Sequence, residues 1–569
     1  MTGTATTFTL GKAEDALVRN ESWLLRIVVV LASVKLALLF LFAATSRFVM
    51  DEFGQLGFAK YLGHELFRTL WPAKAVGFQI FIKLAHLIGW DAVSIVLIGR
   101  IQTALLGCAI LAMIYACARL LGQDRLRALV IVLVLLSFSN FIERIFRTIA
   151  EPLALFFAVA ALLTILRGGV RPRTILLAGG LSGLSFLATQ KAVYFDVALG
   201  LAFVGDGVLA RRYGAGIARG AWLVLGWMIS VAAYCLVFGG LDPLPVAKAL
   251  VFGPAEVASS GIAAEYGGLR QFVWQTVVRN LPLYAFCFAG MLMELRRITE
   301  LGQRQRIALI FSVVITVLVF AHNQPWPYVF IMALPFMSLW ALVPVDRLAA
   351  NPKHFRLAVL VLGLSFGLSF VRNVQFARIG NANQLALVER AESVLAPGDV
   401  YFDGIDMLPN RPEPSTLWLD RHYVLRTLRE KESSEAYRIF GDHPPKAVLW
   451  SYRMDAVEPV MGSLIRESYV QIAPNLRVAG RRLNRGQPAL FDVPVPGRYA
   501  LYSDSGEPSN GQVEVGGVIH SSPVQLERGR KIVMLKSGPE RALLLPQGSY
   551  GRAIRPGPDN KLLFADVYD

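Results

Sequence analysis

Several ionisable residues in this chain are of types suited to acid–base chemistry beside a phosphate. Asp51 and Glu52 are adjacent in "SRFVMDEFGQLGFAKYLGH", where two carboxylates repel each other. A second acid pair, Glu143 and Glu151, lies within the stretch "FIERIFRTIAEPLALFF", on either side of a connection between two apolar runs. A carboxylate so placed can take the proton of an attacking hydroxyl, and a neighbouring acid can orient the hydroxyl or raise the base's proton affinity. Lys191 in "FLATQKAVYF", with Arg144, Arg147 and Lys74, offers the positive charge that an anionic leaving group needs in the transition state. His322 and Trp326 in "FAHNQPWPYVF", together with Gln55 and Tyr194, could touch a hydroxylated ligand.

Each of these residues also has a plainer reading. Glu151 precedes Pro152 and suits a helix N-terminus, Arg144 and Arg147 could anchor lipid headgroups or pair with the nearby acids, and Trp326 fits an interfacial aromatic belt. His64, His86 and His322 match no standard ligand spacing, so the sequence leaves open whether a divalent cation is held with the acids. No phosphate-cradling glycine motif and no D-x-D occurs, and nothing points to a nucleotide or nucleotide-sugar.

The elements that must position these residues are membrane helices. Of the 569 residues, 54% are hydrophobic and 17% charged, with a mean hydropathy of +0.49, too apolar for a soluble protein of this size. Eleven apolar runs precede residue 372, near 24–44, 92–116, 128–142, 152–166, 174–188, 193–210, 220–238, 280–293, 307–321, 327–344 and 357–371. Connections after even-numbered runs are rich in Arg, from Arg119, Arg125 and Arg127 to Arg347, Lys353 and Arg356. Basic residues stay cytoplasmic, which places the N-terminus inside and both the acid pair and the region beyond 372 outside. The single sequon, Asn20-Glu21-Ser22, then lies inside, in keeping with a bacterial inner membrane. Residues 372–569 carry 25 basic and 23 acidic residues, so the net charge of +16 belongs almost wholly to the membrane half and calls for no nucleic-acid partner.

The first external loop, about 45–91, reads as two amphipathic interfacial helices, and 239–279 as a mobile loop. Beyond 372 the pattern becomes α/β, with helices at 384–395, 422–440 and 456–467 and strands near 399–403, 447–451 and 469–483. Short strands with turns then predict a β-sandwich. The expected domains are 1–371 transmembrane and catalytic, 372–485 extracytoplasmic α/β and 486–569 β-sandwich, with Trp418, Tyr452, Tyr499 and Tyr502 as candidate stacking aromatics of the external region.

Taken together, Asp51-Glu52 after the first helix, the long amphipathic loop, "RTIAEPLALFF", "GGLSGLSFLATQKAVYF" and "HNQPWPYVFIMALPF" resemble the C-type glycosyltransferase superfamily. Within it, the chain is most similar to bacterial relatives of protein O-mannosyltransferases and of the aminoarabinose transferase of lipid A. The resemblance covers roughly residues 20 to 371. It implies transfer of a sugar, with inversion, from a polyprenyl phosphate to an extracytoplasmic acceptor: a glycan, a glycolipid or a protein. By that resemblance Asp51 matches the base position, Glu52 its neighbour, Glu151 the second acid and Lys191 a phosphate-binding lysine. The alternative is a transporter or flippase of a lipid-linked sugar. Transporters, however, place ionisable groups near the bilayer midplane, whereas here the acids gather at one face.

Overall fold

The computed structural model describes residues 5–63, 67, 75–259, 270–322, 326–413, 441–456, 458–548, 550–560 and 562–564. Lys74, His64, Trp418 and the expected helix at 422–440 lie outside the described residues, as does part of the 239–279 loop. Two compact bodies emerge: Met1–Ser46, Glu65–Phe81 and Arg100–Ile379 form one, and Arg47–His64, Ile82–Gly99 and Gly380–Asp569 the other.

Helices run in the order α1 (Ala5–Thr45), α2 (Met50–Lys60), α3 (Gly77–Ile88), α4 (Ala92–Leu120), α5 (Arg125–Ser137), α6 (Ser139–Ile142), α7 (Glu151–Gly168), α8 (Pro172–Ala188), α9 (Val193–Leu209), α10 (Tyr213–Gly239) and α11 (Leu244–Ser259). They continue as α12 (Arg270–Arg279), α13 (Leu281–Leu295), α14 (Gln303–Phe320), α15 (Leu334–Ser338), α16 (Val343–Leu348) and α17 (Pro352–Ala377), then α18 (Ala382–Ser393) and α19 (Glu458–Ser468).

Among the described residues seven helices are long and apolar enough to cross a membrane, or eight if α12 and α13 form one bent span, against the eleven expected. The shortfall has local causes. The 128–142 run divides because Phe138 adopts an extended conformation between α5 and α6. In 327–344, Pro335 and Pro344 each sit in the first turn of a short helix, where a missing N–H is tolerated, and the run becomes a chain of turns. α8 stops at 17 residues.

Within the transmembrane body α8 lies between α7 and α10. A Cβ at Gly226 would fall 2.1 Å from the Leu176 carbonyl oxygen, so glycine is what lets α8 and α10 touch backbone to backbone. Polar staples join other helices. Lys35 on α1 is fully buried and donates to Ser369 Oγ at 2.7 Å, which in turn donates to the Ser137 carbonyl at 2.8 Å. Asp206 on α9 accepts from Arg219 and Gln303 at 2.8 Å and from Arg306 at 2.9 Å, tying α9, α10 and α14 together. α12 meets α13 at 93° around Asn280, whose amide exchanges hydrogen bonds with Ser139 at 3.0 and 3.2 Å.

Among its described residues the second body carries one mixed and two antiparallel sheets. β1 (Tyr401–Phe402) pairs in parallel with β2 (Ala447–Leu449), followed by β4 (Leu476–Ala479) and β3 (Tyr469–Ala473), both antiparallel. The strand expected at 469–483 is thus three strands: Asn475, at φ +62°, turns β3 back into β4, and β5 (Arg481–Asn484) leaves for the next sheet. The other sheets run β10 (Val524–Leu526), β7 (Gly497–Tyr502), β12 (Arg541–Pro546), β5 and β6 (Pro488–Val493), β11 (Gly529–Ser537), β8 (Gln512–Val515), β9 (Val518–Ser521). Leu483, Phe491, Tyr499, Leu501, Val533 and Leu544 fill one core between them, giving a sandwich. Tyr499 and Tyr502 are buried, their hydroxyls donating to the Val495 and Gly548 carbonyls, so neither is a stacking platform.

Candidate functional site

In the transmembrane body the structure joins two residues that are forty positions apart. Glu151, 4% exposed, begins α7, where the helix dipole favours a carboxylate. Lys191 lies on a single 3-10 turn, Gln190–Ala192, between α8 and α9. Its Nζ donates to Glu151 Oε1 at 2.7 Å and stands 4.6 Å from the centre of the Tyr328 ring. In sequence Asp196 is the nearest acid to Lys191, but its carboxylate is occupied by Ser182 and Trp227. Tyr328 carries no signal of its own in the sequence beyond its place in the aromatic cluster.

One helical turn past Lys191, the Tyr194 hydroxyl meets His322 Nδ1 at 2.7 Å. Burial, helped by the Lys191 charge and opposed by Glu151, pushes the His322 imidazole down to about 4, so it is neutral at physiological pH. Its Nε2 is enclosed and has no hydrogen-bond partner among the described residues. Arg144 and Arg147 are 4% and 1% exposed, which removes their reading as lipid-headgroup anchors. Arg147 Nε donates to the Glu143 carbonyl at 3.2 Å and its guanidinium lies 5.5 Å from the Phe146 ring. Burial holds the Glu143 carboxyl above its ordinary range although Arg144, Arg279 and Arg147 pull it down. Trp326 sits 6.0 Å from the ring of Phe272. No group of three or more His, Cys, Asp or Glu is arranged to hold a metal among the described residues.

The acid pair is carried by the other body. Asp51 and Glu52 occupy the first turn of α2, and the two differ sharply. Glu52 is fully buried and its Oε1 accepts from the Val49 backbone N–H at 3.1 Å, closing the start of the helix. Asp51 is half-buried, as is Gln55 one turn on, so the two share a face. Sequence spacing gives the two acids equal standing, whereas in the structure Glu52 alone of the two is fully buried.

Behind α2 lies a cluster that had no sequence signature. Asp403 accepts backbone N–H bonds from Ile405, Asp406 and Met407 at 2.7, 2.9 and 2.8 Å. Burial nevertheless pushes its carboxyl up to about 6. Burial, then the Asp406 and Asp403 charges, hold the Glu413 carboxyl well above the usual carboxylate range. The three backbone donors to Asp403 favour its charged form, which leaves Glu413 as the carboxyl held furthest above the ordinary range. A carboxyl with a raised folded value contributes stability that is complete below its unfolded value, about 4.3, and is lost as pH rises through the raised one. Glu413→Gln, whose amide donates at every pH, is therefore expected to melt about 2–4 °C above the wild type at pH 8 and level with it at pH 5. Thermal melts at the two pH values check this; an equal difference at both would show that the proton is not what matters.

The fold is similar to that of a solved bacterial membrane protein, ArnT. ArnT from Cupriavidus metallidurans in the apo state superposes with a TM-score of 0.56 at 12% identity, covering 81% of this chain and 98% of that one. The same protein bound to undecaprenyl phosphate gives 0.50 at 13%, covering 89% and 97%. The archaeal oligosaccharyltransferase AglB from Archaeoglobus fulgidus reaches a TM-score of 0.47 at 13% identity, covering 92% of this chain and 77% of that one. Two family models match, both described as domains of unknown function: DUF7056 over residues 425–478 and DUF7055 over 481–546. No curated protein matches the chain.

Proposed function

We propose that this chain is an inverting glycosyltransferase that moves a sugar from a polyprenyl phosphate to an extracytoplasmic acceptor, a glycan, glycolipid or protein. The observation that carries the reading is the Lys191–Glu151 pair under the Tyr328 ring, in a fold shared with a protein crystallised with undecaprenyl phosphate. Lys191 neutralises the departing phosphate, with Arg144, Arg147 and Lys74 adding positive charge. Asp51 accepts the acceptor's proton as its oxygen bonds to the anomeric carbon and the bond from that carbon to the phosphate oxygen breaks. Glu151 holds Lys191, and Glu52 holds the start of α2. Neutral His322, with Tyr194, Gln55 and Trp326, contacts sugar or acceptor hydroxyls. On this reading 1–371 is the transmembrane catalytic part, 372–485 an extracytoplasmic α/β part and 486–569 a β-sandwich, in a bacterial inner membrane with the N-terminus cytoplasmic.

The test uses purified protein in detergent with a panel of polyprenyl-phosphate sugars, following release of free polyprenyl phosphate. Release with one donor is expected. Binding of every labelled donor without release, together with movement of one across a proteoliposome membrane, would instead assign the chain to the transporter class.

A further inference from the structure

The reading of Asp51 as base requires α2 to be held rigidly, and an 11-residue helix is marginal unless something packs against it. Its support within the second body is unusually specific. At the C-terminal end, Lys60 donates to Asp406 Oδ1 at 3.1 Å and to the Arg411 carbonyl at 3.0 Å. Lys83 Nζ donates to the Ala59 and Lys60 carbonyls at 3.0 and 3.3 Å, two of those that the helix end leaves open, and His86 Nε2 meets the Leu56 carbonyl one turn earlier at 2.9 Å. At the entry to the helix, Gln384 accepts from Phe48 N–H at 2.7 Å and donates to the Phe48 carbonyl at 3.1 Å. On the flank, Asp406 is pressed against Gly57, where a Cβ would lie 2.2 Å from Asp406 Cγ. Asp406 itself is at φ +62°, a backbone region that costs a non-glycine residue energy and is kept only where the surroundings impose it. Glycine weakens a helix interior, so Gly57 and the strained Asp406 make sense together as a close-fitting seat.

We infer that the 403–413 loop of the C-terminal region is the seat of α2, and that Gly57, Lys60 and Asp406 are positioning residues for Asp51. The inference rests on the proposed reading of Asp51 as base. It gives the external region a part in turnover that does not depend on binding the acceptor.

A double-mutant cycle on the donor that the wild type turns over tests it. Gly57→Ala is expected to lower kcat at least tenfold with donor KM unchanged, and Lys60→Met to do the same while Lys60→Arg restores part of the rate. Asp51→Asn with Gly57→Ala should be no slower than Asp51→Asn alone, because a positioning residue acts through the group it positions. If the two losses multiply, the seat does not act through Asp51 and the inference fails. If Asp51→Asn alone keeps wild-type turnover, the base reading has failed instead. Hydrogen exchange gives a readout free of turnover: Asp406→Gly should speed exchange of the α2 amides about tenfold while leaving the α8 and α10 amides unchanged. Unchanged α2 exchange would overturn the seat itself.

Discussion

Asp51→Asn is expected to leave a folded protein whose turnover has fallen by about 10²–10⁴-fold, the range that removal of a general base produces. Asparagine keeps the shape, and losing one carboxylate from the first turn costs about 0.3–1 kcal/mol of helix-dipole energy, so α2 has no reason to unwind. Glu52 cannot take over. It is fully buried, and its Oε1 is bonded to the Val49 backbone N–H. Glu52→Gln preserves an oxygen able to accept that bond, so it should cost stability of about 1 kcal/mol and little of the rate. The contrast between these neighbours is the informative result. If Asp51→Asn kept more than a tenth of wild-type turnover while Glu52→Gln lost it, the two roles would have to be exchanged. The pH profile adds a second check: the acidic limb of kcat/KM in the wild type should disappear in Asp51→Asn, since no other group would then have to lose a proton before attack.

Much of this was legible in the chain because the strongest signals are long-range averages. Apolar runs and the bias of Arg towards one set of connections give a polytopic membrane fold without any detail of packing. The errors arise where a single residue overrides the average. Phe138, Pro335 and Pro344 break runs whose composition alone reads as continuous helix. Asn475 turns one expected strand into a hairpin. The pairing of Lys191 with Glu151 could not be read at all, since it depends on how α7 meets the turn before α9. The seat under α2 was likewise hidden: Gly57 and Asp406 lie 349 positions apart, and only the close approach of one to the other gives either a meaning.

Lys191→Met separates pairing from chemistry most clearly. Lysine at this position serves two purposes in the proposed mechanism: it compensates the buried Glu151 carboxylate and it meets the departing phosphate. Methionine keeps the length of the stem and its contact with Tyr328 but removes the charge. Glu151, 4% exposed, would then be a buried carboxylate without its cation, a change that costs about 3–5 kcal/mol of stability when one partner of a buried pair is deleted. Turnover should fall by about 10²–10³-fold from the lost transition-state charge. The double variant Lys191→Met with Glu151→Gln removes both charges together, and replacing both partners of such a pair is close to neutral for folding. It should therefore recover the melting temperature of the wild type and remain as slow as Lys191→Met. Recovery of turnover along with stability would mean that Lys191 only neutralises Glu151, and the phosphate would need a different partner. Lys191→Arg keeps the charge, yet its planar fork has a different reach from a compact ammonium on the 3-10 turn. It should fold like the wild type and show its defect mainly as a raised KM for the lipid-linked donor, the signature of a cation that is present but misplaced relative to the phosphate.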